Sequence, residues 1–216
     1  MVRVFQFCSS ASLVKLTGLR AYNLEELLQL VRSCPSSSIF YHTFAAFRKM
    51  REVQAPYTND FAVWILRYLH EEALTEKLMA LDLSDYDTVE DLRFHLVEII
   101  ENFREEKRSA FEKMADVPFY LSDVVRFVYL TDKFAYDLAS FRQLLETVSA
   151  DSLYYHLIES RLQTKPHTDD FSRWIEESGP GGDLAHEIRQ IDIHLHTLEE
   201  LREKLLEVID EHLETG

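Results

Sequence analysis

Residues 16–24, LTGLRAYNL, recur as LTDKFAYDL at 130–138, and SIFYH at 38–42 recurs as SLYYH at 152–156, both at a shift of 114. Between Phe5 and His42, 12 residues are identical at that shift, among them Phe5, Thr17, Ala21, Tyr22, Ser38, Tyr41 and His42. Further along the shift becomes 110: PYTNDFAVWI (56–65) lies over PHTDDFSRWI (166–175), with six of those ten residues identical. Finally TVEDLR (88–93) lies over TLEELR (197–202). Matches kept in one order, with gaps only in presumed loops such as 50–55, point to an internal duplication. Two copies are too few for a solenoid, so the expectation is two tandem pseudo-symmetric units packed together, residues 1–110 and 111–216.

Each copy carries the same helix signals. Asn23 precedes LEE, a capping box with Glu26, and Asp137 is its counterpart. Leu24, Leu27, Leu28 and Val31 then fall on one helical face. Ser37 and Asp151 are the expected caps of the next helix, Thr58 and Thr168 of the third, and Thr88 and Thr197 of the last. Val89, Leu92, Leu96, Ile99 and Phe103 form a seam suited to helix packing. Few glycines and prolines, 5 of each, also favour helices. The fold class expected is therefore mainly α. The stretches 4–22 and 118–136, rich in aromatic and β-branched residues, are read as short β pieces or an irregular arm opening each unit.

The chain has 216 residues, 46% of them hydrophobic, with 14 Phe and 10 Tyr, enough for a packed core. Its net charge is −15, placed unevenly: 13 Lys+Arg against 16 Asp+Glu in 1–110, and 10 against 22 in 111–216. A negative surface repels phosphate backbones and anionic lipid, so neither nucleic acid nor a membrane is an expected partner. The two cysteines, Cys8 and Cys34, have no ligand-pair spacing, which fits a reducing cytoplasm.

The polar residues shared by the copies include Tyr41, His42 and Asp60, matched by Tyr155, His156 and Asp170. Two readings compete for them. Two His and two carboxylates, His42, Asp60, His156 and Asp170, could hold a divalent metal if the copies converged, with a phenol from Tyr41 or Tyr155 nearby. The plainer reading is that a His among aromatic residues satisfies a neighbouring backbone group or carboxylate. Known spacings favour the plainer one. His156-x-x-Glu159 reverses the di-iron order, and Ala45 stands at the Glu159 position in the first copy. Ser12-x-x-Lys15 lacks its partner motifs, and the first-copy counterparts of His194 and His196 are not histidines. Glu90/Arg93 and Glu199/Arg202 read as inter-helix clamps.

SSSIFYHT (36–43) followed by YTNDFAVWI (57–65), with the lead-in at 16–27 and the LR step at 92–93, resembles an uncharacterised prokaryotic family, domain-of-unknown-function family 5752. The resemblance covers nearly the whole chain, the first copy more closely than the second. The second copy departs at Asp132 for Gly18 and at Asp169 for Asn59. It implies no activity, cofactor or site residue. The functional expectation is a non-catalytic cytoplasmic helical binding or regulatory module, without a cofactor, that takes a protein partner or a small ligand. The alternative is an enzyme or metal-binding protein using the His/Asp/Tyr set.

Overall fold

A computed structural model describes residues 3–52, 57–162, 168–178, 181–193 and 196–215. It corrects the expected fold class. The fold is α+β: of the described residues 63% are helical and 17% lie in two long antiparallel strands, β1 (Phe5–Ala21) and β2 (Phe119–Ala135). The side chains that cross between them give the direction: Thr17 donates to Leu121 O and Thr131 donates to Phe7 O. Each strand runs for 17 residues, about three times an ordinary strand. The aromatic and β-branched residues of both stretches suit an extended pleated chain.

The chain divides into two compact bodies: Ser12–Val125, and Met1–Ala11 with Arg126–Gly216. Each holds the helices of one repeat. The strand halves are exchanged. The first-repeat unit takes residues 119–125 of β2, and the second-repeat unit takes residues 5–11 of β1. Division at Ala11 and Val125 thus differs from a cut near residue 110, because each strand leaves the unit in which it starts.

In the first-repeat unit, α1 (Leu24–Ser33) packs on α6 (Val89–Glu106), as does α2 (Ser36–Phe40). A π-helical turn over Tyr41–Ala45 joins α2 to α3 (Ala46–Glu52). The short α4 (Asp60–Trp64) runs through a second such turn, Ile65–Leu69, and packs on α5 (Glu72–Met79). In the second-repeat unit, α7 (Leu138–Leu145) and α8 (Ala150–Leu157) pack on α11 (Leu198–Thr215), and α9 (Asp170–Ser178) on α10 (Gly182–Gln190). The core residues Leu24, Leu27, Leu28, Phe61 and Phe141, Phe171, Leu184 are fully buried.

Local chemistry accounts for the helix starts. Asn23 accepts from Glu26 N and Asp137 from Ser140 N; Thr88 and Thr197 accept from Asp91 N and Glu200 N. At the third helix the caps lie one residue later than expected. Asn59, extended at φ −155°, accepts from Ala62 N, and Asp169 accepts from Ser172 N, while Thr58 turns to Met79 O. Ser149, not Asp151, caps α8, and α2 follows Pro35 with no side-chain cap. The clamps are in place: Arg93 donates from α6 to Val31 O at 2.6 Å, and Arg202 from α11 to Leu145 O at 2.5 Å. No helix among the described residues is long and apolar enough to cross a membrane.

Candidate functional site

In the first-repeat unit, the π-helical turn points His42 inward, where it is buried. Its Nδ1 lies 2.8 Å from Asp60 Oδ2 at the start of α4. Its Nε2 accepts a hydrogen bond from the backbone amide of Ser122, in β2, at 2.9 Å. With Nε2 as acceptor, the ring hydrogen sits on Nδ1, facing the carboxylate. Phe119 and Phe61 hold the imidazole at 4.7 and 5.6 Å between ring centres. One turn along α4, Trp64 Nε1 donates to Val117 O at 2.8 Å. Ser38 donates to Asp123 Oδ1.

The second-repeat unit builds the same arrangement. His156 Nδ1 lies 2.8 Å from Asp170 Oδ2, and its Nε2 accepts from the amide of Cys8, in β1, at 2.8 Å. Phe5 and Phe171 flank the ring at 5.0 and 5.3 Å. Trp174 Nε1 donates to Arg3 O at 2.6 Å, and Ser152 to Cys8 O at 2.6 Å.

The physical need is clear in both units. A strand with a neighbour on one side leaves amides on its other edge unpaired. When helices cover that edge, each buried amide needs an acceptor. Here an imidazole nitrogen supplies it, and the carboxylate behind fixes which nitrogen is free to accept. Both nitrogens of each ring are therefore engaged. Among the described residues no three His, Cys, Asp or Glu side chains come together as metal ligands.

The phenols stand aside from these rings. Tyr41 lies edge-on to His42 and receives a hydrogen bond from Lys49. Tyr155 is half-buried, and burial first, then the charges of Asp170 and Cys8, pushes its hydroxyl up to about 12. Burial, reinforced by Asp170, likewise pushes the Cys8 thiol up, away from the thiolate. So His42 with Asp60, and His156 with Asp170, form one strand fastener per unit, and Tyr41 and Tyr155 take no part in it.

Three features escaped the sequence reading. Buried Glu71 binds Lys107 at 2.8 Å and also Lys113. Buried Glu159 lies 3.5 Å from both Ser10 and Arg126. The third is the strand amides themselves, which have no signature in residue identity. An open recess of about 730 Å³ in the first-repeat unit, lined by Glu25, Arg104, Glu105, Arg108, Phe111 and Glu112, contains none of the candidate residues.

Two comparisons bear on this chain. The profile of a family of unknown function, DUF5752, matches residues 2–210. The solved structure of OrfY from Thermoproteus tenax is similar, with a TM-score of 0.79, 27% sequence identity, and coverage of 97% of this chain and 95% of that one. No curated protein matches it.

Proposed function

This chain belongs to DUF5752, a family of unknown function, and from that premise we propose that it is a non-catalytic, cytoplasmic protein-binding module made of two duplicated halves. One observation carries the reading. In each unit the inner strand half is fastened to helices, while the outer half shows apolar side chains to solvent. Leu13, Val14, Leu16 and Leu19 are exposed in one unit, and Phe127, Val128, Tyr129 and Leu130 in the other. An exposed apolar row on an edge strand is a usual docking surface for an extended partner segment.

The engaged imidazoles support the non-catalytic part of the reading. The matched His–Asp–amide and Trp–carbonyl geometry supports the duplication. The net charge of −15 argues against nucleic acid and anionic lipid as partners. The test places a photoreactive residue at Leu16, at Leu130 or, as a control, at Glu98 on α6. Irradiation in native lysate is expected to give a discrete adduct from the strand positions alone. Absence of strand adducts, or equal labelling at Glu98, would refute the proposal. So would stoichiometric metal in protein purified without chelator, lost on His42→Ala.

A further inference from the structure

Within the second-repeat unit, β2 from Arg126 to Ala135 is the outer strand, and it has a neighbouring strand on one side only. It contains no proline, and among the described residues no further strand pairs with its free edge. Phe127, Val128, Tyr129, Leu130, Phe134 and Tyr136 are 40–68% exposed. Together they offer several hundred Å² of apolar surface, of the order of the about 800 Å² per partner that a standard interface buries.

The order of side chains along this edge is self-complementary. Arg126, Val128, Leu130 and Asp132 alternate onto one face, basic at one end, acidic at the other, apolar between. Let a second strand of the same sequence run antiparallel with Tyr129 opposite itself. Arg126 then faces the other copy's Asp132, twice, and Val128 faces its Leu130, twice. A slip of one residue sets Arg126 against Lys133 in one direction and Thr131 in the other, so both opposite-charge pairs are lost. Lys133 is already turned to its own unit, where it donates to Thr147 O and Oγ1. Arg126 shares its guanidinium with Glu159 at 3.5 Å and keeps part of its surface in solvent. The outer strand of the other unit, Ser12–Ala21, lacks this property. It carries Lys15 and Arg20 and no acid, so antiparallel self-pairing finds no opposite charge.

We infer that the edge Arg126–Ala135 binds a second copy of this chain, forming a two-fold antiparallel strand pair centred on Tyr129. Such an interface is isologous, and pairing removes the edge from further growth. The inference rests on the reading that the outer strands are protein-binding edges, and it names the occupant of one of them.

The test is analytical ultracentrifugation of the full chain over a range of micromolar concentrations. The wild type is expected to dimerise. Asp132→Arg and Arg126→Glu each set like charges opposite in both pairs and should raise the dissociation constant about tenfold or more. Mixing the two variants should restore wild-type association, because each mixed pair then has arginine opposite an acid at both ends. Leu130→Glu, which leaves Glu159 and Arg126 alone, should also dissociate the dimer; thermal melts verify that all variants fold. A monomeric wild type, a dimer indifferent to Asp132→Arg and Leu130→Glu, or a mixture that fails to recover would overturn the inference. A monomeric chain whose Leu130 adduct is a different protein would overturn it and leave the binding-module reading standing. A monomer with no strand adduct at all would end both.

Discussion

The two units use one set of fasteners and differ in where they put charge. In both, a His–Asp pair takes a strand amide, a Trp takes a carbonyl two residues before a strand, and an arginine takes one of the last carbonyls of a helix. Around that frame the first-repeat unit buries Glu71 against Lys107 and Lys113, where the second has Gly181. The second-repeat unit buries Glu159 beside Arg126, where the first has Ala45. It also places Asp169 where the first has Asn59. The lesson is that strand attachment is held constant while buried charge is free to move, as expected if attachment is structural and the charges serve what each half does separately.

The largest expected effect tests the constant part. His42→Ala and His156→Ala each strand a buried amide and a carboxylate, and each should cost about 3 kcal/mol. Trp64 and Trp174 lie one per unit, so fluorescence-monitored denaturation reads both. Costs differing by more than about 1 kcal/mol would break the equivalence of the two fasteners.

The next effect sharpens the difference. Burial pushes the Glu71 carboxyl up, but Lys107 and Lys113 outweigh it and hold the group below its usual range. A depressed carboxyl stabilises the fold above its unfolded value and loses that contribution as pH falls through the folded one. Glu71→Gln should cost about 2 kcal/mol at neutral pH, and the deficit should close on acidification. A deficit independent of pH would mean that shape, not charge, is what the clamp supplies.

The smallest effect has the opposite sign. Burial raises the Asp169 carboxyl, against the pull of its hydrogen bonds from Ser172 and of Arg161 and Arg189. A raised carboxyl contributes stability at low pH and loses it as pH climbs through the folded value. Asp169→Asn copies the first-repeat unit, where Asn59 also donates to Leu78 O at 2.9 Å. It should therefore stabilise by about 1 kcal/mol at neutral pH, with the gain shrinking as pH falls. A thermal melt series across pH measures it; a loss at neutral pH would show that the charge on Asp169 is needed.

The helices were legible because their signals are local. Asn23, Asp137, Thr88 and Thr197 each cap within three residues of themselves. The strands were not, because what buries them is distant. β1 alternates between buried and half-buried only from Phe5 to Cys8, and from Ala11 to Arg20 almost every residue is exposed or nearly so. No single period runs through a segment that changes surroundings midway. The His–Asp pairs could be read from the repeat, since both partners are side chains that recur. Their third member could not, because an amide of Ser122 or Cys8 looks like any other amide. Nothing near residue 8 tells that its acceptor stands at His156.

That distance orders the assembly of the molecule. Residues 12–125 form one body that is continuous in sequence. Phe5 and Phe7, made earlier still, must wait for Phe141, His156 and Phe171, and Arg3 for an indole 171 positions downstream. An early-made segment is thus seated only after later ones. Until the final helices emerge it is an unclaimed oily strand, and how a cell keeps it from the wrong neighbour during those seconds is a question of folding kinetics, not of stability.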